Sequence, residues 1–430
     1  MSTVPQEEVP KHLQVQKFRI EPLYELRIEV ANDIPVTVKL VDGIAEIFGT
    51  ELARAREYKL PLSAKLAMFT WQGANVEVVG APTVLYVAEN KSMPNALNIH
   101  HNLERQRVEA ETNKDVKGPR IMIAGPTDAG KSTLCKILAN YATRKFRKPI
   151  FVDLDVGQGQ VSLPTSVAAT VVDSPLDLYH GFSMSAPLVF SAGSTSPSES
   201  VERYRNAVER LAQVVNGRLH LDNDARVGGL IVNTCGWIED LGFTLLKEAA
   251  KEFDVDRIMV LGSDKLESML KSSLAADLPR CHIVKLTQSG GAVQRSREYR
   301  ISSRTSRIKE YFYGPEGELS PQRIKVPLDS VKLYSIGKRY KAPAGTLPAD
   351  YESKASPLEP EAIAITTNHL QSIFAVPHAT SVDELSIANI AGFVCVTDID
   401  EKSNTLWLLC PSSSELPSRL FIETPLKHIE

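Results

Sequence analysis

The sequence predicts an α/β protein in three parts: a central domain with a parallel sheet and flanking helices, an N-terminal β-sandwich and a C-terminal β-rich domain. Three observations carry that reading. Short alternating segments separated by turn residues fill the chain up to about Asn90. Apolar, strand-sized runs then alternate with helically spaced segments from Arg120 to Gly314. After Gly314 the alternating pattern returns without helices between its segments. A chain of 430 residues holds two or three such units at roughly 150 residues each.

In chain order, residues 1–17 open with MSTVPQEEVPKHLQ, acidic and proline-containing with no apolar segment, so they are expected to be a flexible terminus rather than a secretory signal. Residues 18–94 carry LRIEV, VTVKLV, IAEIF, AMFTW, NVEVV and VLYV, broken by ND, DG, QG and GAP turns, which is the period-two pattern of an antiparallel sheet or sandwich. Residues 95–119 change to helical spacing, with Leu97, Leu103 and Val108 among charges, and break at Lys117-Gly118-Pro119; a connecting helix and loop are expected. Residues 120–314 run IMIAG, a helix from Lys131 to about Lys145, PIFVDLD, VGGLIVNT, a helix near Phe243 to Glu252, and RIMVLG. That alternation implies parallel strands joined through helices. Residues 315–430 hold RIKVPL, VKLYSIG, EAIAITT, SIFAVPH, AGFVCVTDID, TLWLLCP and RLFIE, with a proline-rich loop near Ala342 to Pro360.

Composition narrows the function. The 49 Lys+Arg against 52 Asp+Glu give a net charge of −3, so any nucleic-acid site must be local rather than a global positive field. The five cysteines, Cys135, Cys235, Cys281, Cys395 and Cys410, are far apart and form no CxxC or Cys/His cluster; free thiols in a reducing compartment are expected, not a disulfide framework or a zinc site. No apolar run approaches the 18 residues of a membrane span.

The decisive segment is Gly125-Pro-Thr-Asp128-Ala129-Gly130-Lys131-Ser132, which fits G-x-x-x-x-G-K-[ST] between an apolar strand and a helix. Glycines let main-chain N–H groups close on phosphate oxygens, the helix N-terminus favours negative charge, Lys131 supplies an ammonium to the β- and γ-phosphates, and Ser132 is a Mg²⁺ ligand. Thr133 follows at the α-phosphate. The central domain is therefore expected to be a P-loop NTPase that binds a nucleoside triphosphate with Mg²⁺.

Five further segments bear on the site. Asp153 and Asp155 end the next strand, and Asp155 is better placed to act on Mg²⁺, its water or an attacking hydroxyl, because ligands bind at the carboxyl ends of parallel strands. Asp153 reads equally as a supporting or a capping acid. Residues 294–310 (QRSREYRISSRTSRIKE) bring Arg295, Arg300, Arg304 and Arg307 at helical intervals, either a lid over phosphates or a solvated helix face. Trp237 after the strand at Asn233 suits base stacking or plain packing, and Thr195 in GSTSP sits in a substrate loop or an ordinary turn. The basic run Arg144 to Lys148 reads as cations at a helix C-terminus.

Several separated motifs then agree with one family. AEIFGTEL (Ala45–Leu52), AKLAMFTW (Ala64–Trp71), GPTDAGKST (Gly125–Thr133), VDLDVGQG (Val152–Gly159), GSTSPS (Gly193–Ser198), NTCGW (Asn233–Trp237) and RIKEYFYG (Arg307–Gly314) span nearly the whole chain in order. Together they resemble the Clp/Cbc-type polynucleotide 5′-hydroxyl kinase subunit of the nuclear pre-mRNA cleavage and polyadenylation machinery. The resemblance implies nucleotide contacts from Glu25 and Lys65 of the N-terminal domain, and phosphate and metal contacts from Lys131 and Ser132. It also implies activation of the acceptor hydroxyl by Asp155, acceptor contacts from Gln158 and Thr195, an RNA end stacked on Trp237, and lid arginines Arg295 and Arg300. RNA 5′-hydroxyl ends, a cleavage-factor scaffold subunit and a nuclear location are the partners and place it implies.

Two functions are compatible with these residues. One is γ-phosphoryl transfer from ATP to an RNA 5′-hydroxyl; the other is a catalytically silent subunit whose bound ATP locks its domains for assembly. A GTPase is disfavoured, since no NKxD-type guanine motif follows a core strand.

Overall fold

The structure is a computed structural model that describes residues 15–31, 34–182, 186–337, 358–412 and 415–428. The expected flexible stretch therefore lies outside the described residues through residue 14, and Val15–Lys17 are already strand, paired with Val79, Val78 and Glu77. Most of the proline-rich loop near Ala342 to Pro360 also lies outside them.

The N-terminal domain contains β1 (Val15–Ile20), β2 (Tyr24–Glu29), β3 (Val36–Gly43), β4 (Glu46–Ile47), β5 (Thr50–Glu51), β6 (Glu57–Leu60), β7 (Lys65–Phe69), β8 (Ala74–Val79) and β9 (Val84–Glu89). They form two antiparallel sheets, β1-β8-β3-β6 and β5-β4-β7-β2-β9. Period-two alternation turns Val36, Val38 and Leu40 of one sheet and Leu26, Ile28 and Met68 of the other into one shared core, the sandwich the pattern predicts. Helix α1 (Met93–Thr112) begins with a proline in its first turn, where the missing N–H is not needed. It lies on the central domain. Arg107, 1% exposed, donates from Nε to the Gly228 carbonyl at 3.1 Å, and Glu104 accepts from both Arg107 and Arg147.

The central sheet has the order β13-β12-β11-β14-β10-β15-β16. Its strands are β10 (Arg120–Ala124), β11 (Ile150–Asp153), β12 (Ser166–Val171), β13 (Leu188–Ser191), β14 (Leu230–Asn233), β15 (Arg257–Leu261) and β16 (His282–Leu286). Helices α2 (Lys131–Thr143), α3 (Val201–Leu221), α4 (Asn223–Gly228), α5 (Asp240–Glu252), α6 (Asp264–Leu274) and α7 (Arg297–Tyr313) surround it. β11, β14, β10, β15 and β16 are parallel, as the alternation predicts. β12 and β13 extend one edge in the antiparallel sense, because no helix separates β11 from β12 to carry the chain back across the sheet. β10, β11 and β14 are buried at every position, which is why they read as unbroken apolar runs.

Seven strands between residues 322 and 427 build the C-terminal sheet. One core joins it to the central domain, with Ile308 and Phe312 of α7 packed among Ile121, Phe151, Ile373 and Phe393. The Tyr311 hydroxyl accepts from the Phe393 N–H at 2.9 Å. The second half of α7 is thus anchored while its first half extends over the sheet's carboxyl edge.

A tight crossing beneath this sheet makes a stability prediction. Gly229 has φ +77°, and a Cβ there would stand 2.0 Å from the Pro119 carbonyl oxygen that accepts from Leu230 N–H. Gly229→Ala is expected to lower the unfolding free energy by about 3 kcal/mol, measured by chemical denaturation.

Candidate active site

A cleft of 930 Å³ opens along the carboxyl edge of the central sheet, walled by the 127–133 loop, residues 155–160, α7 and residues 61–66 of the N-terminal domain. The loop geometry follows from its residues. Gly130, at φ +93°, caps α2 and faces open space, so its N–H and those after it are free to meet a ligand. Gly125 has φ +151° and does not line the cleft; a Cβ there would reach within 2.5 Å of the Leu261 carbonyl, so the glycine lets the loop lie against β15. Lys131 is buried, and its Nζ donates to the carbonyls of Gly125 at 2.9 Å and Pro126 at 2.8 Å. Burial lowers its pKa, against the opposing charge of Asp155. Ser132 Oγ stands 3.5 Å from Asn233 Oδ1, and Ala129, Ser132 and Thr133 line the cleft.

The two acids at the end of β11 separate by environment. Asp153 is 2% exposed, and its oxygens accept from the N–H groups of Asp155 and Gln160 and from Asn233 Nδ2 at 2.9 Å. Burial, then the neighbouring Asp155 charge, holds its carboxyl up at about 6. It therefore supports the loop. Asp155 lines the cleft, with one oxygen accepting from the N–H groups of Gly157 at 3.0 Å and Gln158 at 3.1 Å. Its second oxygen is aligned by this turn without being used in it.

The arginine segment packs against the phosphate loop and lines the cleft. Arg295 lies before the helix rather than on it, because the Ser296 side chain caps the Tyr299 N–H at 3.1 Å and starts α7 at Arg297. Asp128, held at φ +62° in the loop, accepts from the Arg295 N–H at 2.9 Å and from Arg300 Nη2 at 2.7 Å. The Tyr299 hydroxyl donates to the Ser63 carbonyl at 3.1 Å, tying the start of α7 to the N-terminal domain. Arg304 and Arg307 also line the cleft.

Gln158, Thr195 and Trp237 line the same cleft as Asp155, and Gly157 lies close against the Thr195 carbonyl. Trp237 lines the cleft, and its ring lies against Gly242 of α5, where a Cβ would be 2.6 Å from it. Lys65 also lines the cleft, its Nζ 2.7 Å from Glu29 and 5.8 Å from the Tyr299 ring centroid. Glu25 departs from expectation. It is 3% exposed and does not line the cleft, because its carboxylate is taken by Arg27 Nε at 2.7 Å and by Asn90 Nδ2. Arg27 in turn donates to the Gly290 carbonyl at 3.0 Å, so Glu25 acts on the cleft wall through Arg27.

Sequence reading did not single out Lys136, Phe48, Tyr299 or residues 291–293, all of which line the cleft. The Gly290-Gly291 pair was the one local signal, marking a close approach to Arg27. Among the described residues no group of three or more His, Cys, Asp or Glu is placed to hold a metal. Ser132 and Asp155 instead offer two hard oxygens beside an anion cradle, a set that fits Mg²⁺ shared with phosphate oxygens.

The phosphate loop and the acid at the sheet edge define the class: P-loop nucleotide-binding proteins. Within it the chain belongs to the Clp1 family. The P-loop model of mRNA cleavage and polyadenylation factor CLP1 matches residues 125–314, the N-terminal β-sandwich domain of polyadenylation factor matches 19–110, and pre-mRNA cleavage complex II protein Clp1 matches 319–430. Polyribonucleotide 5′-hydroxyl-kinase Clp1 of Xenopus laevis is 39% identical over 421 residues, covering 96% of this chain and 94% of that protein. The Homo sapiens protein of the same name is 38% identical over 416 residues, covering 96% of each. Of solved structures, a wild-type Clp1p–Pcf11p complex superposes with TM-score 0.84 at 25% identity, covering 97% of this chain and 99% of that one. A second, described as an extended Pcf11p–Clp1p interface and the basis for ATP loss in a point mutant, gives 0.83 at 26% identity over 96% and 99%. No helix among the described residues is long and apolar enough to cross a membrane.

Proposed function

We propose that the chain transfers the γ-phosphoryl group of ATP to the 5′-hydroxyl of RNA. The observation that carries this is the convergence of the P-loop, Asp155 and the Arg300 lid on one cleft. Main-chain N–H groups from Asp128 to Thr133 cradle the phosphates, Lys131 swings from its loop carbonyls to the β- and γ-oxygens, and Ser132 and Asp155 would hold Mg²⁺. The ion, when bound, neutralises charge on the β- and γ-phosphates. The adenosine end lies toward Lys65, with Glu25 positioning that wall through Arg27.

At the other end Trp237 stacks the terminal base, and Gln158 and Thr195 orient the ribose. The 5′-oxygen attacks phosphorus in line, its proton passes to the Asp155 carboxylate, and the bond from phosphorus to the bridging oxygen breaks, releasing ADP. Arg295 and Arg300 stabilise the charge spread over the transferring oxygens. Labelled γ-phosphate should appear on a 5′-hydroxyl oligoribonucleotide with Mg²⁺ and not on its 5′-phosphorylated twin. ATP binding without any transfer would leave the silent-subunit reading in its place. That second role is favoured by one observation: the cleft is walled by both the N-terminal and the central domain. Bound ATP then ties them together, for assembly with a cleavage-factor subunit in the nucleus.

Asp128 competes with the triphosphate for Arg300 and also holds the lid in place. Asp128→Asn keeps the acceptor for Arg295 N–H and removes the charge. The Michaelis constant for ATP is expected to change by less than about fivefold, while the lid opens more readily. Proteolysis in the 287–296 segment, faster in the variant without nucleotide and equal with it, checks this.

A further inference from the structure

The cleft does not end at the phosphate loop. It continues along α2 to Lys136 and Asn140, between the Phe48 turn of the N-terminal domain and residues 176–182. Lys136 lies four residues beyond Ser132 on the same face of α2, about 6 Å farther along the helix. Its ammonium stands 5.2 Å from the Phe48 ring centroid, and it forms no ion pair among the described residues. Burial, and then the like charges of Arg307 and Arg295, push its pKa down to about 8. Arg307 reaches the same space from α7. It donates to the Gln160 carbonyl and, at 3.2 Å, to Glu310, while its buried Nε has no partner.

Lys136 has no carboxylate partner among the described residues and Arg307 has one, Glu310, so the two cations turned toward one cavity leave an excess positive charge that suits an anion. That anion is not the triphosphate, whose cradle closes at Thr133. Arg307 lies seven residues past Arg300, about 10 Å along α7 from the lid residue that faces the loop. Phe48 adds an aromatic face, held with its backbone at φ +51° by a carbonyl that accepts from Asn140 Nδ2 at 2.7 Å. A cation pair beside an aromatic ring suits a single strand, phosphate on the cations and base on the ring.

We propose that Lys136, Arg307 and Phe48 form a second acceptor subsite, which takes an internal phosphodiester of the 5′-hydroxyl strand and stacks the adjoining base. The inference rests on the kinase reading. Its test compares wild type, Lys136→Gln and Lys136→Arg with a ten-nucleotide 5′-hydroxyl RNA as acceptor. Lys136→Gln is expected to raise the Michaelis constant for RNA about tenfold, with kcat and the constant for ATP unchanged and Lys136→Arg near wild type. By fluorescence anisotropy, the slope of log affinity for the same RNA against log salt should flatten by about 0.7, one phosphate contact on a single strand. An unchanged RNA constant and slope would overturn the subsite, and so would a rise confined to the ATP constant. A wild type that transfers nothing defeats the kinase reading alone, because the salt slope still decides whether Lys136 meets an RNA phosphate.

Discussion

Asp155→Asn is expected to reduce phosphoryl transfer to RNA by about 10³-fold while ATP affinity stays within about threefold, since a positioned base contributes 10²- to 10⁴-fold and the loop amides carry most of the hold on the phosphates. The substitution separates chemistry from architecture. Asparagine retains the oxygen that accepts from Gly157 and Gln158, so the turn after β11 keeps its shape. What disappears is the group able to take the proton. Single-turnover transfer measured beside equilibrium binding of a fluorescent ATP analogue checks both halves. Equal loss of binding and transfer would assign Asp155 to nucleotide binding instead, and unimpaired transfer would remove it from the reaction.

Gly236→Ala is expected to weaken ATP binding about 100-fold, because displacement of a binding group by an ångström has consequences of that order. A Cβ at position 236 would stand 2.2 Å from Thr127 Oγ1 and 2.6 Å from Thr127 N. Both atoms belong to the phosphate loop, and one is main chain, so no side-chain rotation relieves the contact. The loop must withdraw from the end of β14. Isothermal titration with ATP measures the loss, and a melting curve separates it from unfolding. An alanine variant that is stable and binds ATP normally would show that the loop yields freely.

The two substitutions illustrate what a sequence exposes. The phosphate loop was legible because its chemistry is contiguous: strand, glycines, lysine and helix start lie within Arg120–Thr143. Asp155 was legible for a similar reason, as an acid just past the strand that ends at Asp153. Gly236 was visible only as part of a motif, since the reason it must be glycine is Thr127, a neighbour in space from another strand's loop. The charge pattern of residues 294–310 suits a lid or a solvated helix face, and the start of its helix is written locally. Ser296 is a local cap signal that places Arg295 before the helix.

By itself, then, the sequence determined the α/β class, the sandwich before it, the β-rich domain after it and the anion cradle, because each is written in short-range periodicity or in adjacent residues. The tertiary structure alone decided which acids and cations face each other. Asp128 meets Arg300 across 172 positions, Glu25 is turned away from the cleft by Arg27 and Asn90, and Lys136 is left facing Arg307. A charged side chain has little preference of its own along the chain; its role is set by the dielectric and the partners that folding brings within a few ångströms.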